Sequence, residues 1–124
     1  MIHEAPVFAS SGLPGVAEKV RSFILAAQEA AAGGISVAEF GELAVALMRV
    51  VIAAAESIPA DGARKKAWVV EAVGLLFDAV ADEAVPTLAY PVWLVVRPTV
   101  RTLVLMAAAG AVESLLPLVR KAAA

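Results

Sequence analysis

The sequence predicts an all-α fold: a four-helix bundle-like single domain, with an extended N-terminal arm and a proline-broken corner before the last helix. Three observations carry that expectation. Apolar residues recur at the three- and four-residue spacing of a helix face in several separate segments. Turn-forming residues punctuate those segments, at Gly33-Gly34, at Ile58-Pro59-Ala60-Asp61-Gly62, and at Pro86, Pro91 and Pro98. Alanine occurs 29 times, and its high helix propensity and small side chain suit closely packed helices.

Residues 1–15 hold Pro6, Gly12, Pro14 and Gly15 without a sustained period, which predicts the arm. Its apolar members Ile2, Val7, Phe8 and Leu13 suit docking on a neighbouring subunit, with a frayed terminus as the alternative. Residues 16–124 form the bundle domain. The first helix is expected from about Val16 to Ala32: Val16, Val20, Phe23, Ile24, Ala27 and Ala31 share one face, and Glu18, Arg21, Ser22, Gln28 and Glu29 the other. Gly33-Gly34 stops it.

The second helix opens on Ser36-Val37-Ala38-Glu39, the Ser-x-x-Glu pattern of a capping box. From Val37 to about Ser57 its polar residues, Glu39, Glu42, Arg49 and Glu56, fall on one narrow strip. A helix apolar around most of its circumference is expected at the middle of an assembly.

The third helix is expected from about Ala63 to Ala84. Arg64, Glu71, Asp78 and Asp82 form a polar stripe opposite Val69, Val73, Leu76 and Val80. Basic residues at its start and acids at its end oppose the helix dipole, so contacts with other parts of the protein must compensate.

The segment Ala89–Gly110 is apolar but carries Pro91, Pro98, Arg97 and Arg101. With Pro98 in the first turn of a new helix, where proline is tolerated, the two arginines share a face. The reading that follows is a proline-shaped corner feeding a buried last helix, with the arginines held by acids or at a wet rim. Glu113, the one acid after residue 83, is their expected partner, in a buried pair that fixes helix register. Trp93 and Tyr90 suit a packed corner or an interface anchor.

Composition limits the function classes. The chain of 124 residues is 61% hydrophobic, against roughly 45–50% in soluble domains even with glycine counted. Something besides its own core must cover the surplus. Residues 1–83 carry six Lys/Arg and eleven Asp/Glu, net −5; residues 84–124 carry four and one, net +3. Such asymmetry can orient subunits head to tail or place the basic end near an anionic surface. There is no Cys, and His3 is the one histidine, so thiolate chemistry and a His-based metal site within one chain are not expected. No glycine-rich phosphate loop is present, and no basic-aromatic patch apart from Trp93 near Arg97 points to nucleic acid. The opening residues lack the basic and apolar regions of a signal peptide, which predicts a cytoplasmic chain.

Two function classes remain. The first is a non-enzymatic helical assembly protein, without a cofactor, that covers its surplus apolar surface with copies of itself or with a protein partner. The second is a small membrane-active, holin-like protein, associated with the inner membrane through residues 89–119. Against a simple span, the uncharged run Ala84 to Val96 is 13 residues, short of the roughly 20 a helical span needs. Thr102 to Val119, 18 residues with one charge, comes closer. The residues expected to make structural or interface contacts are Phe8, Phe40, Leu47, Val51, Trp93, Arg97, Arg101 and Glu113.

Overall fold

The computed structural model describes residues 14–56, 58 and 61–123, with side chains described for 15–56, 58 and 61–115. Four helices follow one another: α1 (Pro14–Ala31), α2 (Val37–Ala55), α3 (Gly62–Val80) and α4 (Tyr90–Ala123). Two short 3-10 turns, Ala81–Ala84 and Thr87–Ala89, make the corner between α3 and α4. No strand occurs among the described residues, and the fold is the all-α bundle the periodicity predicts.

Helix α1 starts at Pro14, so the expected arm loses Pro14 and Gly15 to the first turn of the helix. Proline is favoured there because its missing N–H would be unbonded in any case. The rest of the arm, Phe8 included, lies outside the described residues. Gly33 and Gly34 leave the helix at φ +92° and +118°, a region that disfavours any residue with a Cβ. Gly34 N–H donates to Ala31 O at 2.8 Å, and Ile35 N–H donates to Glu83 O at 3.1 Å. The second bond ties the α1–α2 connection to the corner after α3.

The starts of α2 and α3 are both capped. Ser36 Oγ accepts from Glu39 N–H at 3.0 Å while Glu39 Oε1 accepts from Ser36 N–H at 2.8 Å, completing the capping box. Asp61 Oδ1 accepts from Arg64 N–H at 2.7 Å, so an acid stands at the positive end of α3 beneath its basic cluster.

The centre of the bundle is α3, and not α2 as the apolar circumference of α2 suggests. Trp68, Val69, Ala72, Val73, Leu76, Phe77 and Val80 of α3 are buried, including its two bulkiest apolar side chains. From α2 the core takes Leu47, Met48, Val51, Ile52 and Ala55, whereas Val37 and Val45 face outward. Small and β-branched side chains make α2 apolar all round without requiring that it be enclosed. Val16, Val20, Ala27 and Ala31 of α1 and Ala108, Val112 and Leu115 of α4 complete the core.

Helix α4 departs furthest from expectation. It runs unbroken through Pro98 and Pro117 for 34 residues, about 50 Å at 1.5 Å per residue. Only Pro91 occupies a first turn, and the corner falls upstream, around Val85-Pro86. Proline inside a helix removes one hydrogen bond and crowds the preceding turn. Pro98 is exposed, so water can reach the carbonyl it deprives, and the residues on either side of it, Arg97 and Arg101, are anchored to α3. Thr102 Oγ1 donates back to Pro98 O at 3.1 Å. Nor is the helix buried: along its most apolar window only 6% is covered.

Candidate interaction surface

Two carboxylates four residues apart, Asp78 near the end of α3 and Asp82 in the 3-10 turn that follows it, receive α4. Asp82 Oδ1 accepts from Trp93 Nε1 at 2.7 Å and from Arg97 Nε at 2.9 Å. Asp78 takes Arg101 in a bidentate grip, Nε to Oδ1 at 2.9 Å and Nη2 to Oδ2 at 3.1 Å. Arg97 Nη1 lies a further 3.9 Å from Asp78 Oδ1. Acids spaced by four across the end of α3 and its 3-10 extension thus meet arginines spaced by four on antiparallel α4. Paired guanidinium and carboxylate planes of this kind fix register as well as contributing charge-assisted bonds.

An aromatic layer backs the ion pairs. Phe40 of α2 meets the Phe77 ring edge-on at 6.0 Å, Trp93 lies 6.0 Å from the same ring, and Arg97 Cζ stands 5.0 Å from its centroid. Donation from the Trp93 indole, followed by the Arg97 guanidinium, holds the Asp82 carboxyl below the usual carboxylate range, against the opposing push of burial. Gly74 makes room for the outer pair: a Cβ there would stand 2.8 Å from Arg101 Nη2.

The charged ends of α3 therefore find tertiary partners, as its unfavourable dipole requires. At its start Lys65 Nζ lies 3.8 Å from Glu56 Oε2 and Lys66 Nζ 3.6 Å from Glu113 Oε2. The expected Glu113 pairing with Arg97 or Arg101 does not form. All three sit on one continuous helix, where a separation of at least twelve residues puts about 18 Å of axis between them. Glu113 is also exposed, at 70%, rather than buried.

Of the other expected contact residues, Phe40 and Trp93 are partly buried in the aromatic layer. Leu47 and Val51 are fully buried in the chain's own core, which leaves them no part in an interface.

Turning Arg97 and Arg101 inward leaves the opposite face of α4 without charge. Val92, Val95, Val96, Leu103 and Met106 are 40–78% exposed there, and Leu88 of the corner is almost wholly so. From Val92 to Val112 the helix has no other charged residue. Sequence reasoning passed over this face, although Val92, Val96, Thr99, Leu103, Met106 and Gly110 already show alternating steps of four and three. Beside the corner, an open cleft lies between Gly33-Gly34 and Glu83, Pro86, Thr87 and Tyr90.

Fold and surface together define a small helical bundle whose last helix is anchored by ion pairs on one face and bare and apolar on the other. No protein-family model, curated protein or solved structure matches the chain.

Proposed function

We propose that the chain is a non-enzymatic helical assembly protein, and that the outward face of α4 is its binding surface for protein. The observation that carries this reading is the uncharged apolar face itself, on a helix whose arginines are committed to Asp78 and Asp82. Contiguous exposed apolar surface of this kind marks interaction sites on soluble proteins. The carboxylates most suited to chemistry are already occupied by arginine and tryptophan donors, so they serve to position α4 rather than to move protons.

A second reading has one observation behind it: the segment Thr87–Leu115 is long and apolar enough to cross a bilayer. Insertion of α4 as docked would carry α3 along, and bring its charged residues Arg64, Lys65, Lys66 and Glu71 toward the hydrocarbon, where each costs about 2–4 kcal/mol. Lying flat on a bilayer suits a helix with free basic residues flanking its apolar face. The two arginines in that part of α4 are engaged elsewhere. Protein is therefore the favoured occupant.

The test is fractionation of the expressed chain, followed by flotation with anionic and neutral vesicles. Recovery in the soluble pool without detergent, and no flotation with either vesicle, supports the protein-association reading. Recovery only from membranes, or flotation with vesicles, overturns it in favour of the membrane-active one.

A further inference from the structure

We infer that the outward face of α4 pairs with the same face of a second copy, antiparallel, in a two-fold symmetric dimer. This rests on the protein-association reading and names the occupant. Val92, Val96, Thr99, Leu103, Met106 and Gly110 line the face in steps of four, three, four, three and four. That is the spacing of a seam between two helices. The seam is about 27 Å long at 1.5 Å per residue.

Antiparallel pairing about the level of Arg101 sets Val92 opposite Gly110, Val96 opposite Met106 and Thr99 opposite Leu103. In every pair a larger side chain meets a smaller one, which lets the layers interdigitate. Gly110 has open space where a Cβ would stand, so the partner's Val92 can approach the backbone. Parallel pairing instead faces Gly110 with Gly110 and Met106 with Met106, leaving a gap at one layer and crowding at the next. The antiparallel contact is also self-complementary and closes after two copies.

Charge selects the same partner and the same direction. A surface carrying ions would bury them unpaired against this face, whereas a second copy brings none. The two ends of the bundle differ in sign. The bond between Ile35 and Glu83 gathers Glu39, Glu42 and Glu83 at one end. The Lys65–Glu56 and Lys66–Glu113 pairs mark the other, where Arg64 stands and toward which α4 carries Arg120 and Lys121. Antiparallel copies place each basic end beside the partner's acidic end and oppose the helix dipoles; parallel copies place like ends together.

The parent chain has no cysteine, so single cysteines report the register directly. Val92→Cys and Gly110→Cys chains, one lengthened by a tag so that products differ in mass, are oxidised separately and as a mixture in detergent-free buffer. The expected result is a mixed disulfide in the mixture, little homodisulfide from either chain alone, and loss of the mixed product when Leu103→Glu is added to both. Circular dichroism checks that the Leu103→Glu chain keeps its helix content. Homodisulfides forming as readily as the mixed species overturn the antiparallel register. Absence of any disulfide from chains that remain soluble and associated overturns the pairing but leaves protein association standing, whereas membrane recovery in the fractionation overturns the association reading itself.

Discussion

At the scale of single residues, α4 is held by few groups with many roles. Asp82 accepts from both Trp93 and Arg97, and its carboxyl is held below the usual range by those donors. A depressed folded-state pKa contributes stability that is complete above the unfolded value, near 4, and is lost as pH falls through the folded value. Asp82→Asn is therefore expected to cost about 1 kcal/mol at pH 7, after allowance for the solvent that screens a partly exposed group. Urea unfolding at pH 7 and pH 3 checks the sign: the gap between parent and variant should narrow at pH 3. A gap that is the same at both pH values would remove the ionised carboxylate from the explanation.

Gly74 supplies a second residue-scale prediction. A methyl group there gains about 1 kcal/mol of helix propensity but lands 2.8 Å from Arg101 Nη2 and displaces it from Asp78. In an Arg101→Ala background the obstruction is gone, so Gly74→Ala should stabilise by about 0.5–1 kcal/mol. In the parent it should stabilise less or destabilise. A double-mutant cycle by urea unfolding measures the difference, and simple additivity would contradict the contact.

At the scale of elements, starts and stops were the most legible features because they depend on local chemistry. Ser36 with Glu39 and the pair Gly33-Gly34 each act within a few residues, and the structure places a cap and a left-handed exit there. The order of helices in the core was less legible. α2 is apolar nearly all round, yet α3 holds the centre, because Trp68 and Phe77 need enclosure more than the small and β-branched residues of α2 do.

Pro98 shows local propensity overridden by tertiary anchoring. Its neighbours Arg97 and Arg101 fasten to α3, and an exposed position leaves water to satisfy the freed carbonyl. The spacing of the ion-pair residues was visible, but acids and arginines were not matched because that requires knowing that α3 and α4 are antiparallel. Pro98→Ala restores the missing helix bond and should stabilise the chain by about 1–3 kcal/mol. Thermal unfolding checks it, and a lower melting temperature would mean that the proline shapes the docking of α4 rather than opposing it.

At the scale of the whole molecule, the core draws on all four helices, while the outward face of α4 gathers much of the exposed apolar surface, beside separate exposed residues such as Leu25, Val37 and Val45. The sequence announced the surplus but not its place, since only docking reveals which side of α4 the arginines turn away from solvent. Composition and periodicity also left the membrane and assembly readings side by side. The proposed assembly reading rests on the commitment of Arg97 and Arg101 to Asp82 and Asp78, which strips charge from the outward face of α4.

The most direct measurement is the light-scattering mass of the purified chain in detergent-free buffer, beside that of Leu103→Glu. Leu103 is over half exposed, so a glutamate there leaves the core intact and places one charge at the middle of the outward face. Association through this face predicts twice 12.7 kDa for the parent and 12.7 kDa for the variant, with unchanged helix content in both. A parent that runs at 12.7 kDa, or a variant that keeps the parent's larger mass, would contradict it.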